Sequence, residues 1–228
     1  MHTVIPLVQV NDLRTEVYNR IRELIFSGYF KSGQKIEENE LARLLGVSRT
    51  PVREALNRLE SRYIVVRVPR RGTFVRKISL KEITELFTIR GLLEGNSAKL
   101  AAENSSEKDI KELIKILDLM KKTSDRDTLE DLNRKLHMFI HSFAGEITKN
   151  LITEYYEFLV YVDRILLSGI DSEDRIKEIR KEHEEIITAI KAHDPEKAEK
   201  AARSHADQGL DNVKVKYDRA ISEGTLSS

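Results

Sequence analysis

The stretch over residues 40–75 constrains the fold of this chain most. Along it, the spacing of the apolar residues changes from that of helices to that of strands. A short run with apolar residues at helical spacing ends at Gly46. The side chain of Ser48 is expected to cap a second such run, with Pro51 in its first turn. Two β-branched runs then flank a turn at residues 69–72, which is a hairpin pattern. The stretch therefore predicts a helix, a tight turn, a second helix and a β-hairpin with strands near residues 64–68 and 73–76.

The rest of the chain is predicted to be helical. A first helix is expected over about residues 12–27, and a capping box at Ser79 opens a long helical part that continues past Pro195. The helices expected there lie near residues 79–103, 107–122, 127–144, 150–167, 173–192 and 195–217. We therefore predict a mainly α protein. It has a winged helix-turn-helix domain over residues 1–77 and an all-α antiparallel helical bundle over residues 78–228.

Composition excludes several classes of protein. The 228 residues include no cysteine, so disulfides and Cys-ligated metals are excluded. No apolar run approaches the length that crosses a bilayer, and the start MHTVIPLVQVND lacks the basic start and apolar core of a signal peptide. We therefore expect a cytoplasmic protein without a membrane partner.

Charge is distributed unevenly along the chain, although the net charge is only +1. Residues 1–77 contain fifteen Lys and Arg against eight Asp and Glu, whereas residues 78–228 contain twenty-four against thirty. The basic part is therefore a candidate for binding a polyanion, and the acidic part is not. Charge alone does not distinguish such a partner from a solvated surface.

Arginines cluster at the start of the second predicted helix and at the tip of the hairpin. Arg49 and Arg53 are four residues apart, so both lie on one helix face, opposite the apolar one. Arg suits bidentate contacts with guanine or phosphate, and recognition helices read bases with their N-terminal residues. We therefore predict a double-stranded DNA interface formed by Arg49, Thr50, Arg53, Arg70, Arg71 and Gly72.

Several histidines of the helical part can meet inside a bundle. Asn133, His137 and His141 are spaced four residues apart and share a helix face, whereas His183 and His205 belong to two later helices. Imidazoles from different helices can hold Zn, Ni, Cu or Fe(II). The alternative is a set of separate core or surface histidines, and the residues themselves leave both interpretations open.

One ion pair is predicted on an apolar face. Arg90 and Glu94 lie four residues apart within the apolar stripe of the first bundle helix. A charge on such a face must be paired. Two interpretations follow: an internal ion pair, or an Arg90 that points into a cavity and meets the carboxylate of a bound effector.

The segment LARLLGVSRTPVREALNRLE, followed by RRGTFV, resembles the N-terminal domain of the GntR family of bacterial transcription regulators over about residues 12–76. The resemblance implies that Arg49, Thr50, Arg53 and Gly72 touch DNA and that two protomers bind a palindrome. The chain has Ser32-Gly33 where the family usually has Pro-Gly, and Arg62-Tyr63 where it usually has Glu-Gly. These departures concern local turn geometry.

The second half resembles the FCD domain, the all-helical effector domain of the FadR-type branch, through IRGLLEGNSAKLAAEN, NRKLHMFIH and KEHEEIITAIKAHDPEKAEKAARSH. The resemblance implies a divalent metal, Zn or Ni first, held by Asn133, His137, His183 and His205. The family pattern usually has Asp at the position of Asn133, so the charge of this site is higher by one and an anionic ligand is favoured. His141 is the alternative ligand if the register differs.

The predicted function is that of a DNA-binding transcription regulator. We expect a homodimeric repressor whose operator affinity is controlled by a small organic acid, bound at the metal and near Arg90. One alternative is a metal-dependent hydrolase at the three-histidine site, and another is a purely structural ion that joins three helices. No neighbouring carboxylate is an obvious general base, so an enzyme is not expected.

Overall fold

The computed structural model describes residues 10–166 and 172–223, and the first nine residues of the segment tested for a signal peptide lie outside this part. The chain divides into two compact units. The first comprises the described residues up to Ile78 together with Glu157–Ile165, and the second comprises Ser79–Tyr156 and the described residues from Leu166 onward. No described helix is both long and apolar enough to span a membrane.

The first unit contains the predicted helix-turn-helix and hairpin. In the described residues its elements are α1 (Val10–Phe26), β1 (Lys35–Ile36), α2 (Glu38–Leu45), α3 (Arg49–Ser61), β2 (Val65–Val68) and β3 (Gly72–Val75). The strands form an antiparallel sheet in the order β1-β3-β2, with Phe74 of β3 opposite both Lys35 and Val66. The short strand β1 was not predicted, because two residues carry no visible alternation.

The turn between α2 and α3 follows from Gly46. This residue adopts a left-handed conformation with φ 66°, and its N–H bonds to carbonyls of the last turn of α2. Ser48 is the N-cap residue of α3, but its side chain makes no capping hydrogen bond, so the predicted side-chain cap is wrong. Pro51 lies in the first turn of α3, where a missing N–H costs little.

The apolar face of α3 anchors this unit. Its buried positions Val52, Leu56 and Leu59 recur at helical spacing, and α3 packs against α1, whose Val17 and Ile21 are also buried. This burial leaves the opposite face of α3, which carries the arginines, exposed to solvent.

The second unit is a bundle of antiparallel helices, as predicted. The helices described are α4 (Leu80–Asn104), α5 (Glu107–Lys122), α6 (Arg126–His141), α7 (Glu146–Leu166), α8 (Glu173–Lys191) and α9 (Pro195–Ser222). Residues Glu157–Ile165 of α7 belong to the first unit, where the Tyr161 hydroxyl donates to the Arg76 carbonyl over 2.6 Å.

The predicted start of α4 is confirmed, and several other helix limits differ. Ser79 and Glu82 form the expected capping box. The end of α6 was predicted near residue 144 but falls at His141, because Phe143 and Ala144 donate to carbonyls only three residues back. The predicted start of α7 near residue 150 is late by four residues, and α9 continues beyond residue 217 to Ser222.

Small residues allow α4 and α9 to approach closely. A Cβ on Gly91 would lie 3.6 Å from the Ala206 side chain, and Ala98, Ala101, Ala198 and Ala202 belong to the same buried core. This close packing places the side chains that flank Gly91 and Ala206, namely Arg90 and His205, next to each other.

Candidate functional site

The start of α3 presents the predicted cationic side chains to solvent. Arg49 and Arg53 are more than half exposed, and both pair with the same carboxylate oxygen, Glu38 Oε2, at 3.6 and 3.3 Å. Thr50 is exposed beside them. The sequence analysis did not identify Glu38, although an acidic residue in the first turn of α2 was visible. These three charges keep the two guanidinium groups together on one surface.

The hairpin tip carries the remaining predicted DNA-binding residues. Arg70 and Arg71 are exposed, and Arg70 adopts a positive φ of 63° within the turn. Gly72 has φ 112°, and a Cβ there would lie 2.9 Å from Lys35 Cε. The structure therefore places Arg70 and Arg71 on a tight, exposed turn that is suited to contacts with phosphate.

Three imidazoles converge in the interior of the second unit. One ligand nitrogen from each of His137, His183 and His205 lies within 4.8 Å of the others, and all three residues are buried. The Nε2 atoms of His137 and His183 are 3.2 Å apart, and the rings of His183 and His205 are centred 4.7 Å apart. The structure thus brings together three of the four residues predicted as metal ligands.

Carboxylates contact the Nδ1 atoms of two of these rings and orient them. Glu182 Oε2 lies 2.6 Å from Nδ1 of His205, and Glu94 Oε1 lies 3.3 Å from Nδ1 of His137. Such contacts direct Nε2 of each ring away from the carboxylate and raise its basicity. Glu182 is itself held by Arg175. Neither Glu182 nor Arg175 was identified from the sequence, although Glu182 directly precedes His183.

The predicted pair of Arg90 and Glu94 forms in the interior. Arg90 Nε lies 3.0 Å from Glu94 Oε1, with side chains 11% and 5% exposed. Arg90 Nη2 also lies 3.1 Å from Nε2 of His205. The internal ion pair, one of the two interpretations of Arg90, is therefore present. The guanidinium also reaches the imidazole cluster, a contact that the sequence did not indicate.

The protonation of the cluster suits metal binding. Burial lowers the pKa of His183 and His205 well below its usual value, and neighbouring cationic groups add to the effect. Burial would raise the pKa of Glu94, but Arg90 and His137 outweigh it and hold this pKa well below the usual range. Neutral imidazoles beside an ionised carboxylate are the forms that coordinate cations.

Asn133 and His141 lie on the same helix as His137, one turn before and one turn after it. The Oδ1 atom of Asn133 is buried and has no hydrogen-bond partner among the described residues. His141 is 1% exposed, and burial lowers its pKa to about 4. His141, Glu94 and His137 each offer a ligand atom within 4.8 Å of one another. The three converging imidazoles are donors that fit a borderline cation such as Zn²⁺ or Ni²⁺.

An arginine-bearing recognition helix with a basic wing, combined with a helical bundle that encloses polar groups, defines the class of bacterial DNA-binding regulators with a sensing domain. Comparison with known proteins agrees. The family model described as "Bacterial regulatory proteins, gntR family" matches residues 13–75, and the FCD domain model matches residues 85–208. The chain belongs to the GntR family of transcription regulators, in the branch that carries an FCD domain, and not to a family of enzymes.

Two proteins with similar sequences support the assignment to the GntR family over most of the chain. The HTH-type transcriptional regulator YdhC of Bacillus subtilis is 30% identical over 87% of this chain and 90% of its own length. The gluconate operon transcriptional repressor of Bacillus subtilis is 34% identical over 76% of this chain and 74% of its own length.

Solved structures share the fold. McbR/YncC of E. coli has a TM-score of 0.72 at 25% identity, over 90% of this chain and 98% of its own. A GntR-type regulator from Rhodococcus sp. RHA1 has a TM-score of 0.67 at 21% identity, over 89% of this chain and 97% of its own. At this identity the similarity establishes a shared fold only.

Proposed function

We propose that this regulator is a metal-dependent repressor that responds to a small carboxylate. In this proposal, residues 1–77 form the DNA-binding domain, and residues 78–228 form the effector-binding and dimerisation domain. The observation that carries it is the convergence of three buried imidazoles with the Arg90 guanidinium, whose Nη2 lies 3.1 Å from Nε2 of His205. A bound cation and a fixed guanidinium side by side suit an organic acid.

The DNA-binding part uses two surfaces. Arg49, Thr50 and Arg53 of α3 contact base edges in the major groove, and Arg70, Arg71 and Gly72 of the hairpin tip contact the sugar-phosphate backbone. GntR regulators bind DNA as dimers. A homodimer would present two such units to a palindromic operator. The exposure of these arginines supports the assignment, and the name of the gluconate operon repressor of Bacillus subtilis supports repression.

The metal site comprises His137, His183, His205 and Asn133. The first three supply imidazole nitrogens, and Asn133 supplies the amide oxygen that has no partner in the described part of the chain. A bound Ni²⁺, or a Zn²⁺ that takes more than four ligands, would have a further coordination position for a carboxylate. Arg90 supplies a charge-assisted hydrogen bond to the same carboxylate. Effector and operator binding are then coupled, by about 1–3 kcal/mol in typical cases.

The test measures DNA binding and its response to carboxylates in one assay. A duplex enriched from a random pool is titrated with the Zn-loaded protein by fluorescence anisotropy over a range of salt concentrations. We expect saturable binding that weakens with salt. Because each protomer of the dimer loses one phosphate contact, Arg70→Ala should reduce the slope of log K against log [salt] by about 2. A small carboxylate should release the duplex from the wild type but not from Arg90→Ala.

Three outcomes would change this assignment. Failure to enrich any duplex would remove the DNA-binding role of Arg49 and Arg53. Tighter DNA binding in the presence of the carboxylate would make the protein an effector-dependent binder instead of a repressor released by its effector. Chelation that melts the bundle while the carboxylate response survives would make the ion purely structural.

A further inference from the structure

The inward face of α6 carries three polar side chains, and among the described residues neither Asn133 Oδ1 nor the His141 ring has a hydrogen-bond partner. Asn133, His137 and His141 follow each other at intervals of four residues. His137 contacts Glu94 and His183, whereas neither ring nitrogen of His141 has a hydrogen-bond partner in the described part of the chain. His141 is only 1% exposed, so it does not bond to bulk water.

A buried imidazole without hydrogen bonds is unfavourable, and an apolar side chain would suit such a position better. His141 is also close to the candidate metal centre, since its ring is centred 6.1 Å from that of His137. The position therefore combines an unsatisfied polar group with a place beside the cluster. Such a group becomes favourable when a bound molecule supplies the missing hydrogen bonds.

We propose that His141 determines effector specificity by hydrogen-bonding a hydroxyl group of a hydroxy carboxylate, whose carboxylate group is held at Arg90. This assignment rests on the proposed function, in which a carboxylate binds beside the imidazole cluster. It adds a second recognition point to that site and narrows the effector from carboxylates in general to those that carry a hydroxyl.

The chemistry of the neighbouring groups selects a hydroxyl. A neutral imidazole has one donor and one acceptor, and a hydroxyl can satisfy both. A ligand atom of Glu94 lies within 4.8 Å of one of His141, so a second carboxylate bonded to His141 would be repelled by Glu94. A second metal ion is disfavoured because Arg90, already bonded to Glu94, places a cation there. A neutral oxygen group avoids both conflicts.

The experiment compares ligand pairs that differ only in hydroxyl groups. Zn-loaded wild type, His141→Leu, Arg90→Ala and the control His193→Asn are titrated calorimetrically with two pairs, lactate with propionate and gluconate with hexanoate. His193 is a suitable control because it is exposed and has φ 51°, which Asn tolerates. We expect the wild type to prefer the hydroxylated member of at least one pair by tenfold or more. His141→Leu should lose that preference but still bind the unhydroxylated member.

The variants separate the role of His141 from that of the site as a whole. Carboxylate binding that requires Arg90, with a preference below tenfold in both pairs or a preference retained in His141→Leu, would overturn the role of His141 and leave the proposed function intact. Absence of any carboxylate binding by the wild type would overturn both. Two Zn ions per chain, reduced to one in His141→Leu, would instead make His141 a metal ligand. Without ligand, His141→Leu should melt at a higher temperature than the wild type.

Discussion

At the scale of single residues, the charge of the proposed metal centre depends on Asn133. In that proposal it supplies a neutral oxygen where the family usually has Asp, and the ion pairs Arg90–Glu94 and Arg175–Glu182 adjoin the imidazoles. We predict that Asn133→Asp binds Zn²⁺ about tenfold more tightly, because an anionic oxygen is the stronger ligand. The same change should weaken binding of an anionic effector. Competition with a fluorescent chelator measures the first effect, and calorimetry measures the second.

Asn133→Ala is the control for this substitution. It removes the oxygen without adding charge, so its affinity for Zn²⁺ should fall while its affinity for an anion changes little. If Asn133→Asp and Asn133→Ala both bind Zn²⁺ as the wild type does, Asn133 is not a ligand. His137, His183 and His205 would then form the donor set without it.

The candidate site also shows how far single residues can be predicted from sequence. The three histidines were selected through a family pattern. The i,i+4 spacing of Arg90 and Glu94 indicated an internal ion pair as one of two interpretations, and the structure contains this pair. Glu182 was not selected, because nothing in the sequence indicates that it would be buried against His205, 23 residues later. Such contacts depend on how α8 packs against α9, and the sequence pattern does not define this packing.

At the scale of secondary-structure elements, local sequence signals predicted most helices. They failed for elements that form only through pairing with residues far away in the sequence. Ser79 and Glu82 define the start of α4 through contacts three residues apart, so the sequence was sufficient. Strand β1 exists because Lys35 pairs with Phe74, 39 positions away. The side chain of Ser48 was expected to cap α3 but does not, although its backbone adopts the extended conformation of an N-cap residue.

The turn from α3 into β2 places a bulky residue in a backbone conformation that suits glycine. Tyr63 has φ 59°, the left-handed region that favours glycine, and it occupies the position where the family usually has Gly. Its ring lies near Phe158 and under the Arg76 guanidinium, so a truncated side chain loses these contacts. We predict that Tyr63→Gly is more stable than Tyr63→Ala by about 1 kcal/mol, because only Gly relieves the backbone strain. Urea denaturation of both variants measures the difference.

The same pair of substitutions at Glu16 provides the control. Glu16 is an exposed residue within α1, where Ala should be more stable than Gly by about 1 kcal/mol. The order of the two residues should therefore reverse between the positions. If Ala is the more stable residue at both, Tyr63 is not strained in the folded protein.

At the scale of the whole molecule, the buried imidazoles couple stability to pH. Burial lowers the pKa of His141 to about 4, and those of His183 and His205 shift in the same direction. Between the folded-state pKa values and about 6.5, the unfolded chain therefore binds more protons than the folded chain, so the free energy of unfolding falls as the pH falls. Ionised Glu94, whose pKa is also lowered, adds a loss only below about pH 4.3.

We therefore predict that the metal-free protein loses stability steadily between pH 7 and pH 4.5. His141 alone accounts for up to about 1.4 kcal/mol per pH unit and about 3 kcal/mol in total. His141→Leu removes this group, so its free energy of unfolding should decline less steeply, and the variant should gain most over the wild type at the acidic end. Urea unfolding of chelator-treated protein, followed by circular dichroism at several pH values, measures both slopes. Parallel slopes for the two proteins would mean that His141 titrates in the folded protein as it does in the unfolded chain, and that its imidazole is not held neutral in the interior.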